Sequence, residues 1–82
     1  MRNTGYQYLD LIEEVLRLEK REMTIPEIWE VAQKKGLDKK LFSVGKTPKN
    51  TMNAAIRRHI ATSKQVRFKQ TSKSPAKYYL NN

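Results

Sequence analysis

The sequence predicts a mainly α domain closed by a small β-hairpin: a winged helix-turn-helix of three helices plus a wing. Three observations carry that expectation. Two helix starts are marked by a capping threonine and a proline, at Thr24-Ile25-Pro26-Glu27 and at Thr47-Pro48. Apolar residues recur at helical spacing in three stretches before residue 61. Beyond Lys64 the pattern changes to alternation, which suits a half-buried strand.

Residues 6–21 read as the first helix. Leu9, Ile12 and Leu16 recur at i, i+3 and i+7, and Tyr8, Leu11 and Val15 widen the stripe. Thr4 is the expected N-cap. Met23-Thr24 is a short link able to make one strand pairing. In the second helix, running to about Lys35, Thr24 and Glu27 form a capping box and Pro26 sits in the first turn, where its missing N–H costs nothing. Ile25, Ile28, Trp29 and Ala32 share one face, which makes Trp29 a core anchor, and Gly36 supplies a left-handed C-cap. Asp38–Phe42 fits one helical turn with Leu37, Leu41 and Phe42 inward, and Ser43 to Lys46 is loop.

The third helix opens with Thr47 as N-cap and Pro48 at its first position, and runs to about Ile60 or Ala61. Met52, Ala55, Ile56 and Ile60 form its inner side, bordered by His59. Asn50, Asn53, Ala54, Arg57 and Arg58 form the opposite side. Val66 to Gln70 is the first strand of the hairpin, Thr71 to Ala76 its Ser/Lys/Pro-rich loop, and Lys77 to Leu80 its second strand.

At 82 residues the chain is one small domain, 1–82 with its core in 6–80, and its thin core gives modest stability. It reads as a module excised from, or appended to, a larger protein. No apolar run approaches the roughly 20 residues of a membrane span. With no cysteine, disulfides and thiolate metal sites are excluded.

Charge is divided sharply. Residues 1–38 hold all eight carboxylates against six basic residues, a net −2. Residues 39–82 hold eleven basic residues and no acid, a net +11, which makes the total +9. A surface of one sign attracts a polyanion and releases its counterions on binding. Solvated faces usually interleave both signs.

Catalysis is not expected. The single histidine, His59, has no His, Asp or Glu three or four positions away, so it forms no metal pair on its helix and reads as structural. Gly45-Lys46-Thr47 lacks the upstream glycine of a phosphate loop. No metal and no cofactor are expected, and the chain is not expected to be an enzyme; a catalytic domain, if the parent has one, lies elsewhere.

Binding of double-stranded DNA is the leading expectation. The later helix of a helix-turn-helix enters the major groove, where Asn suits adenine and Arg suits guanine. Asn50, Asn53 and Arg57 stand at i, i+3 and i+7 of that helix, with Lys49 and Arg58 flanking them. Lys46 and Thr47 stand at its N-terminus, where free N–H groups receive a phosphate. Arg67 and Lys69 on one strand face, and Lys73 at the loop tip, extend the basic surface onto the wing. Arg57→Ala is expected to lose binding and Glu13→Ala to keep it.

The stretch Met23-Thr24-Ile25-Pro26-Glu27-Ile28-Trp29, then Gly45-Lys46-Thr47-Pro48 leading into Thr51-Met52-Asn53-Ala54-Ala55-Ile56, resembles the HARE-HTH domain, as does the ending with Arg67-Phe68 and Tyr78-Tyr79-Leu80. That winged helix-turn-helix family occurs in additional-sex-combs-like chromatin proteins, restriction endonucleases and the delta subunit of bacterial RNA polymerase. The resemblance covers roughly residues 6–80. It implies a DNA-binding module that senses sequence or base modification for a restriction, chromatin or transcription protein. Its setting would be the cytoplasm or nucleoid of a bacterium, or the nucleus of a eukaryote. The alternative is a protein-interaction module docking on an acidic partner such as RNA polymerase or a chromatin subunit. With no long apolar stripe left over, a monomer is expected.

Overall fold

The computed structural model describes residues 6–41 and 45–81. The proposed cap Thr4, the inward Phe42, the loop residues Ser43 and Val44 and the tail residue Asn82 lie outside the described residues. The elements run α1 (Tyr8–Glu19), β1 (Met23–Thr24), α2 (Ile25–Lys34), a 3-10 turn (Leu37–Lys40), α3 (Pro48–Thr62), β2 (Phe68–Lys73) and β3 (Ala76–Leu80).

α1 is shorter than the 6–21 expected from periodicity, because both ends are set by local polar geometry. At the start, the Gln7 backbone N–H donates to Asp10 Oδ2 at 2.8 Å, so Asp10 closes the first turn. At the end, Lys20 turns into the left-handed region with φ 58° and its N–H donates to the Leu16 carbonyl. α2 begins as the sequence predicts. Glu27 N donates to Thr24 Oγ1 at 3.3 Å and Thr24 N donates to Glu27 Oε1 at 2.9 Å. Gly36, at φ 75°, reverses the chain after α2 and leads into the 3-10 turn, which tucks Leu37 and Leu41 inward.

The three strands form one antiparallel sheet in the order β1-β3-β2. Met23 pairs with Tyr78 and Thr24 with Lys77, so the short link between α1 and α2 is a genuine edge strand. On the other side Phe68 pairs with Leu80, and the ladder continues to Lys73 opposite Ala76, with an irregularity between Gln70 and Ser72. Here the hairpin departs from its sequence reading. β2 starts at Phe68 instead of Val66, and Thr71 to Lys73 are strand instead of loop. The connection shrinks to Ser74 and Pro75, joined by a cis peptide bond. Loop-like composition yielded to cross-strand pairing, which a single strand of sequence does not display.

α1, α2 and the sheet enclose the core. Leu11, Ile12, Val15 and Leu16 meet Ile25, Ile28, Trp29 and Ala32, and Met23, Phe68 and Tyr78 close the sheet side. Trp29 is a core residue, its ring 6.4 Å from that of Tyr8. α3 is the longest helix, yet only Met52 and Ile56 of it are buried. Much of its surface therefore faces solvent.

Candidate nucleic-acid interface

The three helix starts differ in a way that bears on anions. Asp10 stands in the first turn of α1 and Glu27 in that of α2, and both close their own N-termini. The first turn of α3 holds no acid, and the Thr47 side chain makes no cap bond. Thr47 instead contributes its carbonyl, which accepts from Thr51 N at 3.1 Å and from Thr51 Oγ1 at 3.2 Å. Side-chain capping by Thr47 is therefore not observed. The leading N–H groups of α3 are left to solvent or a ligand, with Lys46, Thr47, Lys49 and Asn50 around them.

A cleft of about 350 Å³ opens beside this helix start. Thr24, Ile25 and Pro26 line it from the start of α2, Lys49, Asn50 and Asn53 from α3, and Pro75 and Ala76 from the wing tip. The fold thus brings the wing tip against the first turns of two helices. Sequence reading found Lys49, Asn50 and Asn53 but missed Thr24–Pro26 and Pro75–Ala76 as their neighbours. The register Thr24 to Lys77 is what joins the two, and pairing across that distance leaves no local signal.

The other candidates divide. Arg57 is exposed on the outer ridge of α3, with Ala54 and Ala61 exposed on the same helix. Arg58 turns toward α1 and lines a separate groove with Leu9, Thr51, Ala54, Ala55, His59 and Thr62. Lys69 and Lys73 are exposed on β2. Arg67 is placed differently from its sequence reading: it precedes β2, and its Nη1 donates to Glu13 Oε1 at 2.8 Å and Asp10 Oδ1 at 3.4 Å. That guanidinium is held by carboxylates of α1, so it does not join Lys69 on one open strand face. Asp10 and Glu13 are one turn apart on α1, and that spacing lets both reach the same guanidinium.

Between residues 45 and 81 the other cations make no direct ion pair, although Glu27, whose carboxyl is held below its ordinary value chiefly by the Thr24 backbone N–H, is also lowered by nearby Lys77. Among the described residues, Lys46, Lys49, Arg57, Arg58, Lys64, Lys69, Lys73 and Lys77 form no ion pair, and Arg67 is the exception in that stretch. The acids are engaged nearer home: Glu13 with Arg17, Glu14 with Lys40, Glu19 with Arg21, and Glu30 with Lys34. Of the tyrosines on β3, Tyr78 is buried and Tyr79 is half-buried. No group of three or more His, Cys, Asp or Glu side chains among the described residues is arranged to hold a metal. No described helix is long and apolar enough to cross a membrane.

No curated protein and no solved structure matches the chain. The family model for the HARE-HTH domain, the helix-turn-helix domain whose description names ASXL and restriction endonuclease, matches residues 7–77. That span takes in every helix, β1, β2 and the wing tip, and the chain belongs to the HARE-HTH family.

Proposed function

We propose that this domain binds double-stranded DNA, with α3 in the major groove and the wing on the phosphate backbone. The observation that carries this reading is the acid-free start of α3, flanked by Lys46 and Lys49, in the stretch 45–81 whose cations other than Arg67 form no ion pair among the described residues. Like charges without ion-pair partners repel one another, and a polyanion relieves that repulsion while releasing its counterions. Asn50 and Arg57 on α3 supply base-edge chemistry. Lys46, Thr47 and Lys49 surround a helix end that offers N–H groups to a phosphate. Lys69 and Lys73 carry the positive surface along the wing. Together with Asn53, these residues are the proposed DNA contacts. Arg58 is a peripheral one, and Arg67 acts from behind the surface.

The domain would serve a restriction, chromatin or transcription protein and report DNA sequence or base modification to it, in keeping with the family name. The same cations suit an acidic protein partner, and the two readings separate by footprint. Duplex DNA should slow amide exchange across 47–61 and 66–77. An acidic protein partner in its place, with DNA leaving those amides unprotected, would favour the second reading.

The first test is fluorescence anisotropy of a labelled random-sequence duplex at roughly 50 and 200 mM salt. Tight binding that collapses at the higher salt is expected. Absence of binding at the lower salt refutes the reading. Glu13→Ala is not a neutral control, since Glu13 holds Arg67. Glu30, exposed and paired only with Lys34, is the better one.

A further inference from the structure

His59 lies in the last turn of α3, and Arg67 lies just before β2. The Arg67 backbone N–H donates to His59 Nε2 at 2.9 Å. The imidazole also stands edge-on to Phe68, with ring centroids 5.7 Å apart, and Phe68 is fully buried at the start of β2. Among the described residues this is the one hydrogen bond between α3 and the wing. Arg67 is itself tied on two other sides. Its side chain is held by Asp10 and Glu13 of α1, and its carbonyl accepts from Asn81 N at 2.9 Å, just beyond β3. Asn81 Nδ2 also donates to the Val66 carbonyl at 3.1 Å.

We infer that His59, in its neutral form, is the positioning residue that fixes the base of the wing against α3, and so sets the spacing of the two halves of the DNA surface. Neutral imidazole has one nitrogen able to accept, and here Nε2 is that nitrogen. Imidazolium has only donors. Protonation therefore removes the bond and leaves two N–H groups facing each other. The surrounding charges act in the same direction. Arg67 repels an imidazolium, Arg58 shares the groove beside His59, and the nearby carboxylates of Asp10 and Glu13 are already taken by Arg67. Burial first, and the Arg67 charge second, hold the imidazole below its ordinary value of 6.5. The link is intact at neutral pH and opens as pH falls through that lowered value.

The DNA consequence rests on the DNA reading above, so the test has two independent readouts. In the free protein, amide resonances and solvent exchange of Arg67 and of residues 68–80 are followed from about pH 7.5 to 5, outside the ordinary carboxylate range. The wild type should show Arg67 losing protection toward the acid end, with the wing amides moving in step. His59→Gln presents a carboxamide oxygen to the same N–H and does not titrate, so its wing should stay put. His59→Ala should show the opened wing at both ends of the range, and a melting curve at the neutral end checks that it is folded.

Anisotropy with the labelled duplex is the second readout. Wild-type affinity should fall about threefold to tenfold across the same pH range, the worth of one hydrogen bond. The positive charge gained by His59 would by itself raise affinity, so the sign discriminates. His59→Gln should bind like wild type at the neutral end and show no such loss. Arg67 and wing amides that stay unmoved through the titration overturn the positioning role. So does wild-type affinity that rises on acidification. If no protein binds duplex at the neutral end while the wing titrates as described, the positioning role stands and the DNA reading falls.

Discussion

Two helix starts in this molecule are closed by their own carboxylates, and the third is not. α1 uses Asp10 and α2 uses Glu27, whereas α3 opens on Thr47-Pro48 with no acid in its first turn and no side-chain cap. All three have leading N–H groups without intrahelical partners, fewer by one in α2 and α3 where a proline stands in the first turn, and the same positive end of the helix dipole. Where the helix is part of the scaffold, the chain supplies the compensating oxygen. At α3 it supplies Lys46 and Lys49 instead, which add to the positive end. In the proposed DNA reading, this helix end, which no side chain of its own caps, is the one available to a phosphate. The two acid-closed starts and the acid-free one thus differ in what they do with similar local chemistry.

That comparison can be broken most strongly by putting an acid where α3 lacks one. Lys49→Glu should leave the domain folded, since Lys49 is exposed and a first-turn acid favours the dipole. Duplex affinity should drop about tenfold or more at low salt, because one phosphate contact becomes a repulsion. Unchanged affinity would remove the α3 start from the interface. Thr47→Asp sharpens the point by setting stability against binding. A capping aspartate should stabilise the domain by about 0.5–1 kcal/mol in urea unfolding while weakening duplex binding. A variant that gains both, or loses both, would contradict the idea that this end is left open for a ligand.

The opposite experiment removes a cap from the scaffold. Thr24→Ala should cost about 1 kcal/mol of stability. Its partner Glu27 has a carboxyl held below its ordinary value of 4.5, chiefly by the Thr24 backbone N–H. The folded state therefore favours the ionised form. This contribution is present above that value and is lost as pH falls below it, so the wild-type stability advantage over Glu27→Gln, which cannot ionise, should shrink in acid. An advantage independent of pH would mean the carboxylate plays no part. The smallest expected effect is Glu30→Gln, which touches only the exposed pair with Lys34. It should change stability by less than about 0.5 kcal/mol and leave DNA affinity as it is. A salt titration bounds the whole set. With the eight unpaired cations engaged, log K against log salt should be no steeper than about −7.

Several features of the fold were legible because they are local. Thr24 and Glu27 satisfy each other within one turn, Pro48 suits only the beginning of a helix, and Gly36 adopts a φ that side chains resist. Periodicity placed Trp29 in the core and left Asn50 and Arg57 outside. What misled were features decided by distant partners. Thr71 to Lys73 have loop-like composition, yet they are strand because Ser72 and Lys73 pair across to Lys77 and Ala76. Arg67 belongs to a strand-like basic run, yet carboxylates more than fifty positions earlier hold it.

The sequence alone therefore determined the element order, the helix starts after Thr24 and Thr47, and the confinement of acids to the first half. Each of these is set by residues within one turn of each other or by composition. Only the tertiary structure decided which cations are unpaired, that the wing tip faces the starts of α2 and α3, and that His59 ties α3 to the base of the wing. Those depend on strand register and on side chains meeting across the fold, and packing settles them because no short stretch of chain contains both partners.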